Sequence, residues 1–387
     1  GGDLPKWIRA NLSFVLGIDV SRDNIQNSLD GACARYLKSF KKNNRNELPG
    51  AIFLQGNSGV NIRNGKAFMT EKEKMIARAL FGSGPKDRKE LKEGVYKNYG
   101  VGHDGFNVSS CQFALHYFFE NNTTFHSFLR NLAECTKMGG YFIGTCYDGN
   151  AVFEKLKNKN KGESVSIMRD DTKMYEITKM YDETGFPDDE LSIGYTINVY
   201  QESINKTFAE YLVNFNYFIR MMENYGFVLA TKEQAEKMDL PNGSGLFDEL
   251  YSHMTREIER NPNKAYDYGT ANQMTTDEKW ISFMNRYFVF NKVRSVDSEK
   301  IYNQFLKKTG KMDENEEMDD LLKLKEEKEK EKKEEEKPTT KIRKLNKKIV
   351  LDKYSPVEDD EDVAIAPMPP MPQIVFGETV KIMRPKK

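Results

Sequence analysis

Only four cysteines and four histidines occur in the 387 residues, and Cys33, Cys111, Cys135 and Cys146 form neither a Cys-x-x-Cys pair nor a Cys/His ligand spacing. That pattern excludes a disulfide framework or a zinc ribbon, and no metal is expected. The four read as reduced thiols in or near packed elements, the usage of an intracellular chain. No apolar run approaches the roughly eighteen residues of a spanning helix, and no signal peptide is visible, so neither membrane insertion nor secretion is predicted. A complete Gly-x-Gly-x-x-Gly fingerprint is missing too, which speaks against a nicotinamide dehydrogenase. Charge of one sign is also lacking, because 59 basic and 59 acidic residues cancel to +0.

That balance hides segregation. From about residue 309 the text becomes EEKEKEKKEEEK and then APMPPMPQ, too poor in apolar residues to bury a core and read as a disordered tail over 309–387. Its basic run Lys341–Lys348 offers transient RNA or partner contacts, or is a solubilising extension. Residues 1–308 carry most of the Phe and Tyr and suffice for one large domain.

Within that domain, strand and helix alternate. Leu12–Asp19, Ala51–Gln55, Phe106–Gln112 and Gly140–Cys146 read as strands, the last entered through a Gly139-Gly140 turn. Ser21 offers an N-cap, after which Ile25, Leu29, Cys33, Tyr36, Leu37 and Phe40 recur at helical spacing. Met69–Phe81 and Thr124–Lys137 read as further helices. The order predicts an α/β doubly wound sheet with helices on both faces. From about 150 to 205 the pattern changes to antiparallel strands near Lys173–Lys179 and Ser192–Tyr200, read as a small β-rich insertion. Helix then returns over Phe208–Asn224, strand over Phe227–Ala230, helix over Lys232–Met238 and Gly245–Arg260, and a closing strand over Arg286–Val293.

Ligands of open α/β sheets sit outside the carboxyl ends of the strands. Asp19 and the Gln112, His116, Tyr117 cluster fall there. Asp19 suits ribose hydroxyls, and equally an N-cap. Gly1 and Gly2 fit the end of a glycine-rich turn entering a helix, where backbone approaches a ligand closely. By pattern alone His116 is also a structural histidine, Tyr117 a packed ring, Glu210 a solvent-facing helix residue and Tyr287 one residue of a strand.

Six segments resemble the mRNA cap guanine-N7 methyltransferase family, in the form found as the C-terminal domain of large-DNA-virus capping enzymes. They are GGDLPKW at 1–7, GIDVS at 17–21, SCQFALHYFF at 110–119, GGYFIGT at 139–145, AEYLVNF at 209–215 and RYFVF at 286–290. The resemblance implies a class I S-adenosylmethionine-dependent fold. Gly1, Gly2, Asp19, Asn57, Gln112 and Tyr117 would face the methyl donor, with Asn57 standing where the family usually has an aspartate. Lys6 would contact the cap phosphates, His116 and Tyr117 would flank the guanine, Glu210 would accept from its N1 and amino hydrogens, and Tyr287 would close the pocket. No residue is expected to act as acid or base. The partner implied is capped RNA, with triphosphatase and guanylyltransferase domains upstream in the same polypeptide or a stimulatory subunit beside it. The place implied is the host cytoplasm (a virus factory) or the virion. The family has a strand and an acidic-Gly-Cys-Gly-Lys turn just before Gly1, so this chain reads as N-terminally truncated, with poor donor binding and little activity on its own. Transfer to a different substrate, or an inactive regulatory relative, is the competing expectation.

Overall fold

The computed structural model describes residues 2–42, 48–202 and 205–309. Gly1 and the tail from 310 onward, including Lys341–Lys348, lie outside the described residues. The described residues up to Tyr302 belong to one compact unit, and 303–309 are assigned to another.

Eleven strands occur among the described residues: β1 (Phe14–Asp19), β2 (Gly50–Gln55), β3 (Phe106–Gln112), β4 (Thr136–Tyr147), β5 (Ser164–Arg169), β6 (Thr172–Lys179), β7 (Thr196–Gln201), β8 (Lys206–Tyr211), β9 (Phe227–Leu229), β10 (Ser244–Leu246) and β11 (Asn285–Lys292). β1 and β2 pair in parallel, as do β3 and β4. β11 lies antiparallel to β4, and β9 and β10 pair antiparallel with β11. The expected single sheet is therefore two ladders: β1–β2, and β10–β11–β4–β3 with β9 on β11. Side chains rather than backbone bridge the break, since Phe14 of β1 stacks on Phe106 of β3 at 6.3 Å. β5 to β8 form a separate antiparallel sheet of four strands.

Alternation on the strands sets the core. Phe142 of β4 and Phe288 and Phe290 of β11 share one face and meet Phe125, Phe128 and Leu129 of helix Asn122–Cys135 and Phe218 of helix Phe215–Asn224. Gly144 is needed for that fit, because a Cβ there would lie 2.3 Å from the Cys111 carbonyl oxygen and 2.4 Å from the Phe288 ring. A second core, with Tyr147, Val152, Phe153, Tyr175, Ile177, Ile197, Val199 and Met284, fills the space over the four-stranded sheet.

Several expected elements differ. The run from Ile25 to Phe40 is two helices, Arg22–Gln26 and Ala32–Lys42, because the Asn27 side chain accepts from Leu29 and Asp30 and turns the chain between them. Leu29 and Leu37 consequently point to solvent. Gly139, at φ +72, lies inside β4, where the register slips between the Phe106 and Val108 pairings, rather than in a turn before the strand. The insertion contains four strands and extends to Tyr211, so Glu210 sits on strand β8 and not on a helix; that helix begins only at Phe215, capped by Asn214. Alternation over Lys206–Tyr211 is masked by the aromatic run that follows, and tertiary pairing with β7 decides it. Helices Arg88–Lys97 and Ser298–Lys308 are additional to those expected.

Candidate functional site

The site is built where β3 ends. Phe113 adopts φ +50 and its N–H reaches back to the Thr145 carbonyl at 2.9 Å and to Thr145 Oγ1 at 3.2 Å, which turns the chain sharply out of the sheet. The next residues form a single 3-10 turn, Leu115–Phe119, pinned by the fully buried Leu115 and Phe119. Between these anchors, His116 and Tyr117 have little freedom, and their rings sit 4.2 Å apart at 59°.

Glu210 arrives from the four-stranded sheet. It pairs with Ile197, so it shares the inward face with Ile197 and Val199 of β7 and Ile177 and Tyr175 of β6. That face is mostly apolar, but it also carries Tyr175, whose hydroxyl donates to Tyr147 at 2.7 Å, and the buried Lys179, whose Nζ donates to the Lys159 carbonyl at 3.0 Å. Glu210 is 8% exposed and His116 3% exposed. His116 Nε2 lies 3.7 Å from Glu210 Oε2, too far for a hydrogen bond. Both imidazole nitrogens and Glu210 Oε2 therefore stay buried without a hydrogen-bond partner.

Burial dictates the protonation states. It pushes the Glu210 carboxyl up to about 8 and the His116 imidazole down to about 3. At neutral pH the pair is thus a protonated carboxyl facing a neutral imidazole, since forming the ion pair would require two desolvated charges. Tyr117 is raised chiefly by burial, then by Glu210 and by Asp19. It therefore feels both carboxyls. Tyr147 is also raised, by burial and then by Glu210.

The opposite side is more open and already hydrogen-bonded. Asp19 closes β1, where its Oδ1 accepts from the Ser21 N–H at 2.8 Å and its Oδ2 from Asn24 Nδ2 at 3.2 Å. Each carboxylate oxygen keeps a further lone pair, so a vicinal diol can still be received. Asn57 follows β2, its Oδ1 accepting from the Gly59 N–H at 2.8 Å. Gln112 ends β3, held by Ser110 at 3.0 Å and Thr145 at 3.0 Å. Gly2 precedes helix Leu4–Arg9, and Lys6 on that helix pairs with Asp3 at 2.8 Å in solvent. Acid, amides and strand ends of this kind fit a nucleoside-bearing donor such as S-adenosylmethionine.

Not every expected residue joins this cluster. Tyr287 of β11 lies opposite Thr145 and Gly245, and its hydroxyl accepts from the Asn242 N–H at 3.3 Å and approaches Glu249 at 3.4 Å. Its polar contacts thus run to the 240s loop rather than to His116 or Glu210. Two residues that sequence reasoning missed line the buried side: Tyr147, one residue past the expected strand end, and Tyr175, within a segment legible only as strand. Their hydroxyl pair depends on β4 and β6 meeting in space, which no spacing records.

Parallel strands with polar residues at their carboxyl ends, an antiparallel closing strand and helices on the faces define a class I S-adenosylmethionine-dependent methyltransferase. A model of the mRNA (guanine-N(7))-methyltransferase domain matches residues 1–293, and the chain belongs to that family. A probable mRNA-capping enzyme of Acanthamoeba polyphaga mimivirus is 28% identical over 218 residues, covering 55% of this chain and 17% of the relative. The mRNA cap guanine-N(7) methyltransferase of Caenorhabditis elegans is 30% identical over 165 residues, covering 42% of this chain and 33% of the relative. Among solved structures, the CcbJ methyltransferase of Streptomyces caelestis matches at 11% identity and TM-score 0.34, over 76% of this chain and 90% of that one. The chain thus spans about a sixth of the first of these curated relatives and a third of the second.

Proposed function

We propose that this chain transfers a methyl group from S-adenosylmethionine to N7 of the guanosine cap of mRNA. The observation that supports this most directly is the buried His116–Glu210 pair with its unpartnered polar atoms. A buried acceptor without a partner costs about 1–3 kcal/mol, which a ligand offering N–H donors returns. Guanine presents two on one edge, N1–H and the exocyclic amino group, and Glu210, protonated in the free site, accepts from both once it releases its proton as the base binds. Adenine offers no N1–H, so the same carboxylate selects against it. His116 and Tyr117 flank the base, and Tyr117 carries the wall toward Asp19.

The chemistry asks little of acids or bases. Guanine N7 has an in-plane lone pair and no proton to remove. The bound sulfonium donor supplies an already activated methyl group. Asp19, Asn57 and Gln112 hold the donor side, while His116, Tyr117 and Glu210 fix the plane of the base. The protein's contribution is then proximity and alignment, which explains a site without a catalytic dyad. Because the acceptor already bears its 5′–5′-linked guanosine, a guanylyl transfer must precede this step. We assign that transfer to upstream domains of the same polypeptide or to a partner subunit, in the host cytoplasm or virion, with residues beyond 308 dispensable for methyl transfer. Methyl transfer to capped RNA, with none to uncapped RNA of the same sequence, is the expected result. Transfer to uncapped acceptors alone would overturn the proposal.

A further inference from the structure

We propose that Asp239, His253 and Glu257 bind one divalent transition-metal ion of the zinc class, at a site separate from the methyl-transfer pocket. One ligating atom from each of the three residues lies within 4.8 Å of the others. His253 and Glu257 stand four residues apart on helix Phe247–Arg260, which brings both side chains to one face. Asp239 comes from the loop after helix Lys232–Glu236 and supplies the third donor from across a groove of about 360 Å³.

Bonds of about 2.0–2.2 Å to a tetrahedral ion place donor atoms roughly 3.5 Å apart. The three donor atoms therefore need to close by about 1 Å when an ion binds. Glu257 is already oriented, since the Tyr268 hydroxyl donates to its Oε2 at 2.8 Å. Such an outer-shell bond commonly aims a ligating carboxylate. The groove also holds Glu236 and Glu249 against Lys232 and Arg256, so its carboxylates outnumber its fixed cations once Asp239 is included. One imidazole with two carboxylates suits Zn²⁺ and disfavours Mg²⁺, which prefers oxygen donors throughout. Three protein donors leave a position for water. The bound ion would clip the 237–243 loop to the helix, and with it the Asn242 N–H that meets the Tyr287 hydroxyl.

The test is a titration of Zn²⁺ into the chelator-treated chain, followed by calorimetry and thermal melting, with Mg²⁺ as comparison. One saturable Zn²⁺ per chain in the micromolar range or tighter, a raised Tm and no response to Mg²⁺ are expected. His253→Ala and Asp239→Asn, each checked for an unchanged circular dichroism spectrum, should weaken that binding by about tenfold or more. Absence of saturable binding would overturn the proposal and leave the three residues as an ion-pair cluster. Zn²⁺ affinity unchanged in the folded His253→Ala variant would place the ion elsewhere, on the cysteines for example, and overturn it equally.

Discussion

Glu210 and Asp19 are both carboxylic acids near the ends of strands, and they are built to opposite rules. Glu210 lies on an apolar sheet face with Oε2 unpartnered and its carboxyl raised to about 8. Asp19 is half-buried, with both oxygens bonded by its own following turn. The Glu210 side is therefore held ready at a cost to the fold, and a ligand completes it. The Asp19 side is complete as local structure and adds a ligand to existing bonds. Specificity for a base belongs where a wrong partner leaves buried groups unsatisfied; general affinity for a nucleoside belongs where solvent already does part of the work.

The largest expected effect tests the joint that supports the buried side. Arg286 of β11 donates to Asp148 at 2.6 Å, and Asp148 also caps helix Gly149–Leu156, which leads into the four-stranded sheet. Arg286→Ala should destabilise the domain by about 3 kcal/mol, because it leaves the buried Asp148 without its counter-ion. Chemical denaturation measures this, and a loss below about 0.5 kcal/mol would show that the joint is not needed.

Next is the contrast itself. Glu210→Gln should lower kcat/KM for capped RNA by about 100-fold, the magnitude of hydrogen bonds to a charged acceptor, while donor affinity stays unchanged. Equal losses in donor and cap affinity would mean that the two sides are not separable.

A smaller, graded effect comes from pH. Glu210 is raised from its ordinary 4.5 to about 8, so its contribution to stability is full below 4.5 and is lost as pH rises toward 8. His116 is lowered from 6.5 to about 3, so its contribution is present above 6.5 and is lost as pH falls toward 3. Between 4.5 and 6.5 the two oppose each other; from 6.5 to 8 Glu210 acts alone. Stability should fall there by up to about 1.4 kcal/mol per pH unit, one proton's worth, and cap affinity should rise over the same interval. In Glu210→Gln this alkaline slope should vanish from the melting curves; a slope that persists would assign it to another group.

The smallest effect lies on the open side. Asp19→Asn should weaken donor binding by about fivefold to tenfold, near 1 kcal/mol, and leave Tm almost unchanged, as titration calorimetry and melting will show. A larger loss of Tm would mean that its bonds to Ser21 and Asn24 are structural first.

Much of this was legible in residue order. Strands ending at Asp19 and Gln55 stand where their apolar runs stop, whereas the strand ending at Gln112 is more polar and only partly buried. The turn bearing His116 and Tyr117 was visible as polar and aromatic residues placed just past such a strand. Glu210 was misread as helical because AEYLVNF runs into a true helix, and only pairing with β7 separates strand from helix. Asp239, on a loop, joins His253 and Glu257 of one helix, which no spacing encodes.

By itself, then, the sequence determined which residue types stand at the ends of β1, β2 and β3 and where helix Asn122–Cys135 lies, since both follow from local pattern. Only the tertiary structure decided that His116 and Glu210 would meet buried with polar atoms left over, that Tyr147 and Tyr175 would share a hydrogen bond, and that Asp19 would remain half-exposed. Burial and pairing between distant segments set those outcomes, because the free energy of a carboxyl depends on what surrounds it rather than on its neighbours in the chain.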